Sequence, residues 1–217
     1  MNKDNRNFAV IGLGSFGTNV ATTLFSLGHE VLAVDKNPDK VSAISDFVTQ
    51  AAQADCTDIN VLKALGIRNF TTVFICMGEN LESSVVVTAL LKELGVNEIV
   101  AKAHSDLHEK ILKSLGASSV IYPERDMGIR VANARADANF IDFIELSNEY
   151  SIVEINCPAS WIGKTLREAD LRVRYGINIL AIKHENELLI SPSPDRAFIV
   201  GDTAVIVGAN SDLNNIK

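Results

Sequence analysis

The stretch Gly12-Leu13-Gly14-Ser15-Phe16-Gly17 constrains this chain more than any other. It has G-x-G-x-x-G spacing and closes the apolar run that starts at Phe8, a run that reads as a strand buried on both faces. Helical spacing follows at once, with Phe16, Val20, Leu24 and Leu27 on one face and Gly28 as a C-cap. In this context each glycine has a physical task. Gly12 permits the tight turn, Gly14 lets the backbone approach a phosphate, and Gly17 lets the helix pack against the strand. The free N–H groups and dipole of that helix end attract anions. Glu30 to Asp35 reads as a second buried strand, and a carboxylate at its end can accept both ribose hydroxyls and repel a 2′-phosphate. Turn, helix and acid together predict a nucleotide-binding unit. The plainer reading is a tight strand–helix turn without a ligand, with Asp35 as a helix cap.

The alternation continues. Pro38 to Phe47 reads as a helix, Val48 to Ala54 as a weak strand, and Asp58 to Leu65 as a short helix stopped by Gly66. Strands follow at Thr72 to Met77, Glu98 to Ala103 and Ser119 to Tyr122, separated by helices at Asn80 to Leu94 and Asp106 to Leu115. Six strands alternating with helices predict an α/β fold, a Rossmann-like doubly wound parallel sheet. Asp55 follows the third strand, either as an adenine or ribose neighbour or as a capping acid for the next helix.

The pattern changes near residue 145. Glu124 to Ile144 reads as one more helix. Short strands then follow at Tyr150 to Ile155, Ile177 to His184, Glu187 to Ser191 and Thr203 to Gly208, with a short helix at Thr165 to Asp170. This predicts a second, smaller α+β unit. The boundary falls at Asn139 to Asn148, giving an N-terminal domain over 1–140, a crossover helix to about 146, and a C-terminal domain over 147–217.

Composition narrows the function. With 47% hydrophobic residues the chain of 217 can build a sizeable core. A net charge of -7 argues against a basic nucleic-acid footprint. The apolar runs fall short of the roughly 18–20 residues of a membrane span. The polar start, Met1 to Arg6, does not resemble a signal peptide, so a cytosolic chain is expected. Cys56, Cys76 and Cys157 form no CxxC pair and read as reduced thiols. His104 and His108 have the i, i+4 spacing of metal ligands, but no further Cys or His stands beside them. There is no nucleophile elbow, P-loop or zinc signature. A nucleotide turn without visible chemistry suggests sensing rather than an enzyme.

At this point the chain resembles a known family. The carriers are Phe8 to Gly14, Gly28 to Asp35, Leu65 to Phe70, Tyr122 to Gly128, Leu146 to Glu154 and Tyr175 to Lys183. They are similar to the RCK (KTN, TrkA-type) regulatory subunits of Ktr potassium uptake systems, of the KtrA/KtrC kind, over nearly the whole chain. The resemblance implies an RCK N-domain and a small RCK C-domain. It also implies homodimers assembling into an octameric ring on a membrane potassium-translocating subunit of the KtrB type, at the inner face of the cell membrane. ATP would favour the active state and ADP the inactive one, with NAD(H) a further ligand.

Carried over by position, Gly12, Gly14 and Gly17 match the phosphate turn with Ser15 and Phe16 between them. Asp35 matches the ribose acid and Asn37 a nearby ribose or base contact, with Lys36 between them as a further contact residue. Asp55 matches the adenine-side acid, with Cys56 beside it, and Lys102 a basic residue near the phosphates. Glu124 matches an interface acid where the family holds Mg2+, Ca2+ or Na+; the reading from residues alone is a helix N-terminal acid. One departure stands out: the family commonly has arginine where Ser15 stands. Either discrimination of ATP from ADP is weakened, or Ser15 replaces a native arginine. In Gram-positive relatives the C-domain binds cyclic di-AMP (c-di-AMP). Asp170, Leu171, Arg172, Ile177 and Asn178 match that region, or else pack as core with a solvated charge pair.

Overall fold

The computed structural model describes residues 6–77, 81–136, 140–147, 149–213, 215 and 216. Contacts divide the chain into two compact units, Met1–Glu124 and Arg125–Lys217.

The first unit alternates strand and helix as its periodicity predicts. β1 (Asn7–Ile11) leads into α1 (Ser15–Ser26), then β2 (Glu30–Asp35), α2 (Pro38–Ile44), β3 (Gln50–Gln53) and α3 (Ile59–Ala64). β4 (Thr72–Ile75), α4 (Leu81–Glu93), β5 (Glu98–Lys102), α5 (Asp106–Ser114) and β6 (Ser119–Ile121) complete it. The six strands form one parallel sheet in the order β3-β2-β1-β4-β5-β6. The order reverses at β1, so the crevice beyond the carboxyl ends of β1 and β4 is the topological switch point. The expected helix start at Asn80 lies outside the described residues.

Local chemistry sets the helix ends. Asn37 caps α2, accepting from Asp39 N at 2.8 Å, and Pro38 takes the first turn where its missing N–H costs nothing. Asp58 caps α3 and Ser105 caps α5 in the same way. α1 starts differently, because its N-cap is Gly14, which has no side chain, and among the described residues no side chain is bonded to its first N–H groups. The sheet is apolar on both faces. Ala9, Ile11, Val34, Ile75 and Ile99 build one core layer, while Val10, Val31, Ala33 and Cys76 build the other with Ala21 of α1.

The second unit opens differently from the expectation. α6 (Pro123–Ala136) ends early, and β7 (Phe140–Glu145) stands where helix was expected to continue to Ile144. Phe140-Ile141-Asp142-Phe143-Ile144 is rich in aromatic and β-branched residues, and its pairing with β8 (Tyr150–Asn156) wins over helical continuation. The β7–β8 turn is held by Ser147 Oγ, which accepts from the N–H groups of Glu149 and Tyr150. The segment expected to be a domain boundary is therefore largely a hairpin; Asn139 and Asn148 lie outside the described residues. α7 (Leu166–Ala169), α8 (Leu171–Tyr175), β9 (Asn178–His184), β10 (Glu187–Ile190), β11 (Asp202–Ala209) and α9 (Asn210–Leu213) follow. The sheet is antiparallel, in the order β10-β9-β11-β8-β7. Buried and half-buried residues alternate along β8 and β11, as expected for a sheet with one face on the core. That core includes Val153, Ile155, Trp161, Phe198 and Ile206.

Candidate functional site

The three glycines of the first turn carry three different constraints. Gly12 has φ +96°, a left-handed conformation that other residues rarely adopt, and a side chain there would meet Met77 Cγ at 2.8 Å. A Cβ on Gly17 would stand 1.9 Å from the Gly12 carbonyl oxygen, so only glycine lets α1 approach the turn. Among the described residues, a Cβ on Gly14 would meet nothing within 4 Å, so this position is open to them. The turn thus presents uncapped N–H groups of α1 there.

Asp35 is bound to this turn. Its Oδ2 accepts from Leu13 N at 2.7 Å and its Oδ1 from Asn37 N at 2.9 Å. Lys40 Nζ stands 3.7 Å from Oδ2, on the exposed side. The carboxylate is therefore fixed in orientation at the end of β2, with lone pairs remaining for a ligand's hydroxyls. Asp55 follows β3, the neighbouring strand, whose end is tied to β2 by Ala54 N donating to Asp35 O at 3.1 Å. Asp55 does not cap α3, a task that falls to Asp58. Its Oδ1 accepts from Thr57 Oγ1 at 2.7 Å and Thr57 N at 3.0 Å. These bonds, hydroxyl first, hold its carboxyl below the usual range, aided by the charge of Lys36.

Two expected contact residues carry a structural task instead. Cys56 is 4% exposed and packs in the core, where burial pushes its thiol up to about 12, so only its backbone faces a ligand. The Asn37 side-chain oxygen is engaged as the α2 cap. Ser15 is exposed at the first position of α1.

A second group lies at the same sheet edge. Lys102 ends β5, and its ammonium sits 5.7 Å from the centre of the Phe16 ring. It donates to Glu124 Oε1 at 2.5 Å. The lysine side chain is 12% exposed and the glutamate 61%. That bond is the main reason the Glu124 carboxyl is held below its ordinary range; the charges of Lys102 and His104 act in the same direction. The pairing joins residues that the sequence singles out separately, and their spacing of 22 positions hides it.

His104 and His108 do meet, but as part of a hydrogen-bonded chain. Their Nδ1 atoms are 2.7 Å apart, and His108 Nε2 lies 2.8 Å from Ser84 Oγ on α4. No group of three or more His, Cys, Asp or Glu side chains fit to hold a metal is found among the described residues. In the second unit, Leu171 and Ile177 are buried in the core, whereas Asp170, Arg172 and Asn178 are exposed. Asp170 is left-handed, with φ 45°, between α7 and α8.

Comparison with known proteins decides the family. The TrkA-N domain family model matches residues 8–123 and the TrkA-C domain model residues 150–217. The Ktr system potassium uptake protein A of Bacillus subtilis is 42% identical over 98% of this chain and 96% of its own length. Its C counterpart from the same organism is equally similar. The protein A of Vibrio alginolyticus is 34% identical over 99% of this chain and 98% of its own. This chain belongs to the TrkA-domain family of Ktr-type potassium uptake proteins. The fold agrees. The GsuK RCK domain superposes with a TM-score of 0.69 at 19% identity over 99% of this chain, which spans 47% of that chain. No helix among the described residues of this Ktr-type chain is long and apolar enough to cross a membrane.

Proposed function

We propose that this Ktr-type protein is a nucleotide-sensing regulatory subunit of a potassium uptake system, and not an enzyme. The carrying observation is the glycine turn open at Gly14, with the Asp35 carboxylate fixed beside it by Leu13 N. Such a turn takes the phosphates of a nucleotide at the α1 N-terminus and the ribose hydroxyls at Asp35. GsuK, which shares the fold, has been solved bound to NAD and, separately, bound to ADP.

In this reading ATP favours the active state and ADP the inactive one. A ligand shifts that balance only by its differential affinity for the two states. Two copies form a homodimer, and dimers form an octameric ring on a KtrB-type membrane subunit at the inner face of the membrane. Glu124 joins no group of three or more metal-ligating side chains among the described residues, so Mg2+, Ca2+ or Na+ would sit there between two copies, where it offsets the repulsion of the two carboxylates. The cation would supply charge neutralisation. Lys102, Phe16 and the turn hold the nucleotide. A c-di-AMP site in the C-domain would draw on the exposed Asp170, Arg172 and Asn178.

Calorimetric titration with ATP, ADP and NADH, with and without Mg2+ or Ca2+, tests this. Binding of ATP and ADP with a cation-dependent difference supports the reading. Binding of NADH alone replaces it with a redox-sensing regulator and reopens an NAD-dependent oxidoreductase.

A further inference from the structure

Lys102 is mostly buried, ends β5 at the sheet edge that carries the glycine turn, and touches Phe16, the second residue of α1. It thus sets a cation beside the first turn of α1, where phosphates would lie. Yet its ammonium is already engaged by Glu124 at 2.5 Å. A charge-assisted bond of this kind is among the stronger polar contacts in a protein. Glu124 itself is mostly exposed and stands at the second position of α6, free to swing into water.

We infer that Glu124 is a built-in anionic competitor for the phosphate subsite. It occupies Lys102 while no phosphate is bound, and an incoming phosphate displaces it. Two anions at one ammonium repel each other, so a phosphate is bound against the charge of Glu124 even where Lys102 reaches both. The displaced carboxylate belongs to the last residue of the first unit, one position before the second begins. Phosphate arrival is thereby converted into release of a side chain at that junction. Adenosine, which carries no phosphate, leaves the pair intact.

The inference rests on the nucleotide reading above, and the test separates the two. Affinities for ATP, ADP and adenosine are measured by calorimetry on the full chain, in EDTA with tetramethylammonium as the only added cation. Wild type, Glu124→Gln, Lys102→Met and the double variant are compared. Glu124→Gln is expected to tighten ATP and ADP by roughly twofold to fivefold, the scale of a partly exposed charge pair, and to leave adenosine unchanged. Lys102→Met is expected to weaken ATP and ADP, and in the double variant the gain from Glu124→Gln should be largely lost. Unchanged or weaker ATP and ADP binding in Glu124→Gln overturns the competitor role while leaving the nucleotide site standing. An equal gain for adenosine also overturns it. Failure of the wild type to bind any nucleotide removes both readings.

Discussion

The carboxylate of Asp35, at the end of β2, accepts a hydrogen bond of 2.7 Å from the backbone N–H of Leu13, in the turn after β1. The residue that would hold a ribose also holds the phosphate turn in place. Removing it should do two kinds of damage, and the two can be separated. Asp35→Ala is expected to weaken nucleotide binding by about 2–4 kcal/mol, from bonds of about 1.5–3 kcal/mol each, and also to lower Tm. Asp35→Asn keeps one oxygen for Leu13 N but turns an NH2 group toward Asn37 N, so its Tm should fall less than that of Asp35→Ala while affinity still falls at least ~10-fold through loss of charge. Calorimetry beside thermal melts checks both. Equal affinity in all three proteins would remove Asp35 from the site.

Gly17 and Gly14 should respond in opposite ways. Gly17→Ala places a methyl 1.9 Å from the Gly12 carbonyl oxygen and 2.9 Å from Cys76 Cβ. Separating α1 from the turn should cost about 3 kcal/mol of stability, at the upper end for overpacking. Gly14→Ala meets no described residue within 4 Å and keeps an extended backbone, so stability should change by under ~1 kcal/mol while phosphate binding falls. Denaturant melts combined with ATP titration distinguish these outcomes.

His108 gives the fold a pH dependence. Ser84 Oγ donates to Leu81 O at 2.9 Å, so it must accept from His108 Nε2–H. His108 Nδ1 is then an acceptor and takes the Nδ1–H of His104. A second proton on His108 would face the proton on His104 Nδ1, and burial, followed by the charge of His104, pushes its pKa below 6.5. The unfolded chain takes up that proton near pH 6.5 and the folded chain resists it. This contribution is therefore complete above pH 6.5 and is lost as pH falls through the lowered folded value. Urea melts from pH 7.5 to 5 should show falling stability, with a shallower slope in His108→Gln. Identical slopes would mean His108 is not the source.

In the second unit, Asp202 is a buried carboxylate that accepts from Arg196 Nη2 at 3.0 Å and Ile199 N at 2.9 Å, with His184 Nδ1 at 3.0 Å. Asp202→Ala strands the Arg196 charge and the Ile199 donor. The expected loss is about 3–5 kcal/mol, read as an early unfolding transition. Arg196→Ala together with Asp202→Ala should recover part of it.

Much of the first unit could be read from the order of residues, because its signals are local. A strand buried on both faces is a continuous apolar run, and the helix caps at Asn37, Asp58 and Ser105 follow from short-range hydrogen bonding. The glycine turn is legible because only glycine tolerates φ +96° at Gly12 and the contact at Gly17. The failures involve partners distant in sequence. The segment Phe140 to Ile144 favours a strand by composition but follows directly on a helical stretch, and pairing with β8 decides where that helix stops. Cys56 sits beside Asp55 in sequence, but its side chain turns into the core.

The sequence by itself determined the doubly wound sheet, the glycine turn, the acid at its edge and the family, since periodicity and glycine chemistry act over a few residues. Only the tertiary structure decided that Lys102 is held by Glu124, that Asp35 grips the turn through Leu13 N, and that His104 and His108 share a proton-ordered chain with Ser84. Those relations depend on which strand ends and helices the fold brings within about 3 Å, the range over which a hydrogen bond acts.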